Sequence, residues 1–251
     1  MGKEACYTWV FSTPLHMLLG CGVGRGKAEA QAILGEQFSG VGVSNGYGAY
    51  KYLFNEHQLC WAHLLRKAIQ LMLQHPHEEH YRQFFDDLYE LYQQAVRWQK
   101  DQRLSLGRGQ EVERLEARLS ELCTHWQETV EPQTMPIGEQ TSIRLQQELM
   151  KGIGALIVFV ANPQVEPSNN CSERNLRKEA EVRKGGRTSK TQTGAQRRSV
   201  IMNVLATLNT RFETFTLNHL LAELVRWSER GLSQFQAELA GMTQANSLSS
   251  A

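Results

Sequence analysis

The sequence predicts an α/β fold interrupted by a large helical block. Three observations carry that expectation. Aromatic and β-branched runs bounded by turn residues occur before His63. Apolar residues at helical spacing follow from about Leu64 to Val130, and a basic, helix-forming third closes the chain. A length of 251 residues suffices for one sizeable core carrying an insertion.

Cys6 to Phe11 reads as a strand, Pro14 interrupts it, and Met17 to Val23 reads as its hairpin partner. Lys27 to Gln37 sets Ala28, Ala32 and Ile33 at helical spacing and closes in a turn at Gly40. Val41 to Ser44 is a short buried strand ended by Asn45-Gly46. Tyr47 to Phe54 follows as one or two helical turns, and His57 to His63 as a strand or strand–helix junction.

In the helical block, Phe84, Leu88, Leu91 and Ala95 line one face. Val112, Leu115, Leu119, Leu122 and Trp126 follow the 3-4 spacing of a coiled-coil seam. The turn Ser105-Leu-Gly-Arg-Gly between them makes the pair an antiparallel helical hairpin. After a loop bearing Pro132 and Pro136, one further helix carries Leu145, Leu149, Ile153 and Leu156 on one face and ends near Asn162-Pro163. A loop from Pro163 to Asn169 leads into an Arg- and Glu-rich helix from about Asn170. The glycine-containing basic stretch from Lys184 and a helix from Gly194 to Asn209 follow. The expected division is 1–63, a helical insertion 64–162, a carboxy-terminal part 163–243, and a disordered Ser- and Ala-rich tail 244–251.

Hydrophobic content of 41% and charged content of 21% are those of an ordinary soluble globular protein. The net charge of +1 hides an uneven distribution, with basic residues crowded between Arg174 and Arg198 and acidic ones between Glu111 and Glu121. Five cysteines, an odd number without a CxxC pair, fit a reducing cytoplasm. No signal peptide is read at Met1, and the apolar stretch Gly154 to Ala161 is too short to span a bilayer, so no membrane partner is expected.

Three local patterns bear on chemistry. Val43-Ser-Asn-Gly-Tyr-Gly-Ala-Tyr50 puts a polar residue at the carboxyl end of a strand. Cys60-Trp-Ala-His-Leu-Leu-Arg-Lys67 is the second. Asn169-Asn-Cys-Ser-Glu-Arg-Asn-Leu-Arg177, continued by Arg183-Lys-Gly-Gly-Arg-Thr-Ser189, is the third. In this order, and separated by a helical block, they resemble the insertion sequence 66 family of bacterial transposases over about Trp9 to Asn209.

The resemblance implies a ribonuclease H-like core with a large helical insertion. It also implies a DDE triad of carboxylates holding magnesium (Mg2+) for DNA strand cleavage and transfer, since hard cations prefer oxygen ligands. The family's glutamate falls on Glu173, which would be catalytic and a metal ligand. Its second aspartate falls on Asn45, a neutral amide that cannot balance the metals' charge. Its first aspartate belongs to a strand ahead of Trp9, where only Met1 to Thr8 stand and no aspartate occurs. The expectation is a core lacking its first strand, truncated at the amino terminus and catalytically defective. Arg174, Arg177, Arg183, Lys184, Arg187 and Lys190 would contact DNA, because guanidinium groups pair with phosphate and glycines allow close approach. The partners implied are transposon-end DNA and further copies of the chain or full-length transposase, at the bacterial nucleoid in the cytoplasm.

Each motif also has a plainer reading. Asn170-x-x-Glu173 is a capping-box pattern with Asn170 as cap. Asn45-Gly46 is a turn dipeptide. Cys60 and His63 have zinc-like spacing but lack a second cysteine pair. The basic run suits a solvated helix face, and the whole chain a non-catalytic DNA-binding or regulatory protein acting on full-length transposase.

Overall fold

The order of elements follows the hydrophobic pattern, with all four described strands before Cys60, one α-helix among them, and the other described α-helices after. The computed structural model describes residues 7–50, 53–186, 189 and 191–231. The chain divides into two compact units, one of Met1–Gly24 with Asn175–Ala251, the other of Arg25–Arg174.

In the first unit, β1 (Tyr7–Ser12) and β2 (Met17–Val23) form the expected antiparallel hairpin. At its turn Thr13 Oγ1 accepts from the N–H groups of Leu15 and His16. The unit also holds most of α8 (Asn170–Lys184), together with α9 (Gln192–Arg211) and α10 (Leu217–Arg230). A stripe of Ser199, Asn203 and Thr207 on α9 lies along the outer edge of β2. Cys21 N donates to Ser199 Oγ (2.9 Å) and Leu19 N to Asn203 Oδ1. Asn203 Nδ2 returns a bond to Leu19 O (3.2 Å), and Thr207 Oγ1 both accepts from Met17 N (3.2 Å) and donates to Met17 O (3.1 Å). The helix thereby satisfies backbone groups that an open strand edge would leave to water or to another chain.

The second unit opens with α1 (Lys27–Leu34). Here β3 (Phe38–Ser44) pairs in parallel with β4 (Phe54–Leu59), with Ser44 opposite Leu59. A short 3₁₀ turn at Gly48–Tyr50 connects them. The strand predicted from Val41 therefore starts at Phe38. The helical turns predicted to run to Phe54 give way to β4, whose Phe54-Asn-Glu-His-Gln-Leu run lacks the apolar alternation that marks a strand.

Four long helices build the core of this unit: α2 (Trp61–Gln74), α3 (Glu79–Lys100), α4 (Arg108–Leu122) and α5 (Ile137–Lys151). Phe84, Leu88, Leu91 and Ala95 face inward on α3 as their spacing requires, and Leu115 and Leu119 do so on α4. The helix stops at Leu122, so Trp126 reaches the core from the following turn and does not continue the seam.

The single helix expected to end near Asn162 is broken into α5, α6 (Ile153–Leu156) and α7 (Val158–Ala161). Two side chains take the backbone groups released at the break. Leu156 O accepts from the Trp61 indole (2.6 Å) and the Gln58 amide (3.0 Å), while Phe159 N donates to Gln58 Oε1 (2.9 Å). Side chains inserted into the helical ladder are a recognised cause of kinks. Gly152 serves the same junction, because a Cβ there would lie 2.4 Å from Leu59 Cδ1.

Among the described residues Cys21, Cys60, Cys123 and Cys171 are free thiols, and burial pushes the Cys123 thiol up to about 12. No described helix is long and apolar enough to cross a membrane. The tail after Gln244 lies outside the described residues.

Candidate functional site

Parallel strands gather their carboxyl ends on one side, and in open α/β sheets ligands settle in the crevice outside those ends. Here Ser44 and Leu59 finish β3 and β4 side by side, and Cys60 N donates to Ser44 O (2.9 Å) as the last link between them. A cleft of about 440 Å³ lies beyond, lined among others by Asn45, Cys60 and His63.

Asn45 leaves β3 in a tight turn. Its Oδ1 accepts from Tyr47 N (3.3 Å), and Gly46 takes φ +79°, a left-handed conformation that glycine adopts without strain. Both the turn role and a place on the cleft therefore belong to this residue. The buried Ser44 hydroxyl accepts from Gly46 N (3.2 Å) and lies 2.8 Å from His57 Nε2. Burial lowers the His57 pKa, which favours a neutral ring.

The third sequence block comes to the same place. Trp61 N donates to Pro167 O (3.0 Å), and Asn169 N to Cys60 Sγ (3.4 Å), docking the loop before α8 on the start of α2. α8 starts at Asn170, and Glu173 N donates to Asn169 O (3.1 Å). The first backbone bond of the helix thus goes to Asn169, one position before the residue that the capping-box pattern named as cap. The Glu173 carboxylate meets His63 instead, with Oε1 3.0 Å from Nε2. His63 Nδ1 and Asn169 Oδ1 are buried without a hydrogen-bond partner. Segments 43–50 and 60–67 therefore meet 169–174, more than a hundred residues later in the chain, at one strand end.

This donor set does not fit a magnesium pair. Asn45 offers a neutral amide, Glu173 is engaged by a histidine, and no described group of three His, Cys, Asp or Glu could hold a metal ion. The zinc-like spacing of Cys60 and His63 ends as a cysteine accepting a backbone hydrogen bond and a histidine facing a carboxylate.

On α8, Arg174, Arg177 and Lys184 are exposed, and their spacing of three and seven puts them on one helix face together with Glu181. Arg183 also lies on α8, whereas Arg187 and Lys190 lie outside the described residues. Arg198, the last cation of the basic run, is committed elsewhere: both oxygens of the nearly buried Glu179 accept from it at 3.0–3.2 Å. That hydrogen bond raises the Arg198 pKa.

Two cations outside the three sequence blocks line the cleft, Arg144 and Lys151 of α5. They belong to no local motif. Only their separation of seven residues, which returns to the same helix face, marked them as a pair.

The family model for the IS66 family of transposases matches residues 2–197. No curated protein and no solved structure matches the chain significantly.

Proposed function

The chain belongs to the IS66 family of transposases, and we propose that within transposition it is a DDE-type catalytic domain that has kept DNA contact and lost strand cleavage. The observation that carries this reading is Asn45 at the carboxyl end of β3, in a cleft where a carboxylate would be needed to balance divalent cations. Glu173 in contact with His63 supports it.

A ribonuclease H-like core with the α2–α7 block inserted belongs to this proposal by family membership; the described strands form two separate two-stranded sheets, β1–β2 antiparallel and β3–β4 parallel. DDE transposases in general use divalent metal ions and bind DNA; magnesium is the ion proposed for the ancestral site. DNA contact is assigned to the exposed face of Arg174, Arg177 and Lys184, with Arg183, Arg187 and Lys190 as its continuation.

The test is a supercoiled plasmid incubated with the purified chain and magnesium. The plasmid is expected to remain supercoiled, and an open-circular or linear product contradicts the reading. Asn45→Asp is expected to raise manganese affinity measured by calorimetry, because it adds the missing charge. A second reading, a non-catalytic regulatory protein that joins full-length transposase, draws on the exposed apolar faces of α9 and α10.

A further inference from the structure

We infer that Arg144 and Lys151 form a phosphate-binding rail along the cleft at the ends of β3 and β4, and that its ligand is the sugar–phosphate backbone of a nucleic-acid strand. This rests on the DNA-contacting reading above and adds a second contact, placed on α5 instead of α8.

Arg144, Gln147, Glu148 and Lys151 recur at three, four and seven residues and line the cleft from one face of α5. Arg144 and Lys151 are exposed, and among the described residues neither has an ion-pair partner. Glu148 is the carboxylate among the cleft-lining residues, and both its oxygens accept from Lys67 Nζ, at 2.7 and 2.5 Å. Its charge is thereby offset; Glu173 stands against the cleft-lining His63 (3.0 Å) and is not itself among the lining residues, and Arg144 and Lys151 bring two positive charges to the cleft. With a rise of about 1.5 Å per residue their Cα atoms stand roughly 10 Å apart along the helix, so each can meet a different phosphate.

Asn45 completes the argument. An aspartate there would repel a phosphate unless a cation bridged the two. The amide instead turns its oxygen to Tyr47 N and leaves its N–H groups available to a phosphate or sugar oxygen. The substitution that removes metal affinity thus suits the cleft to direct backbone binding. Gln147 takes no part, since its amide donates to Glu128 O (3.1 Å).

The experiment is fluorescence anisotropy of the full chain with a labelled random single strand of about 30 nucleotides over a salt series, where each neutralised phosphate contributes about 0.7 to the log–log slope. Arg144→Gln with Lys151→Gln is expected to weaken binding about tenfold at moderate salt and to reduce the slope by about 1.4. Arg144→Lys with Lys151→Arg is expected to keep the slope. Both positions are exposed, so unchanged circular dichroism melts are expected to accompany the loss. If the α5 variant keeps the parent slope while Arg177→Gln with Lys184→Gln loses it, the rail is refuted and the α8 contact stands. If the unmodified chain binds no DNA, both fail. Displacement of the strand by inorganic pyrophosphate at equal phosphate concentration would show a small-anion site and likewise overturn the rail.

Discussion

His57 sits on β4 with Nε2 against the Ser44 hydroxyl, and burial holds its pKa below the ordinary value of 6.5. Above that value the ring is neutral in both folded and unfolded chains, so its pH-dependent contribution is fully present. As pH falls through 6.5 the unfolded chain takes up a proton that the folded ring resists, and stability is lost towards the lower folded pKa. Urea midpoints are therefore expected to drop between about pH 7.5 and about pH 5.5, and His57→Asn to make that drop smaller. Equal drops in the two proteins would mean that His57 does not titrate differently on folding. Because Ser44 also receives Gly46 N, the same ring supports the turn that presents Asn45.

At the scale of elements, the break between α5 and α7 depends on Gln58, a fully buried amide with every contact directed at backbone. Gln58→Leu removes the acceptor for Phe159 N and one of two donors to Leu156 O, and an unsatisfied buried backbone group costs about 1–3 kcal/mol. A fall of that size in unfolding free energy is expected from denaturant titration; no change would mean that the helix closes over the break unaided. The same break shows where sequence patterning stops being informative. Leu145, Leu149 and Leu156 are all buried, as their period requires, yet nothing in their spacing reports that Gln58 and Trp61, a hundred residues earlier, withdraw backbone groups from the helix. The hairpin, α3 and α4 were legible because apolar period alone decides them. The polar stripe of α9 was not, since Ser199, Asn203 and Thr207 resemble a solvent face until a strand edge is laid against them. α10 escaped prediction altogether. In the candidate site, Asn45 and Glu173 were named from their blocks by resemblance and His63 for its spacing from Cys60, and the contact of His63 with Glu173 could not be read. Arg144 and Lys151 required the fold.

At the scale of the whole molecule, two apolar stripes stand uncovered among the described residues. Leu217, Leu221 and Leu224 recur at four and three residues on α10 and are 67%, 49% and 48% exposed, and Val200, Ile201 and Val204 on α9 are 63%, 59% and 43% exposed. Single exposed leucines are ordinary, but such stripes on two helices of one unit form the apolar surface that soluble monomers rarely leave to water. A second copy of the chain, the partner that the family resemblance implied, is the cover proposed here for the first reading, and full-length transposase is the cover in the second. The two make different demands on the isolated protein. Light scattering after size exclusion is expected to give twice the chain mass, and Leu221→Glu with Leu224→Glu to halve it while leaving the circular dichroism spectrum unchanged, because both residues already stand at the surface. A concentration-independent monomer that nevertheless co-purifies with full-length transposase would remove the self-association proposed here and move the regulatory reading ahead, because the same leucines would then be serving a different chain.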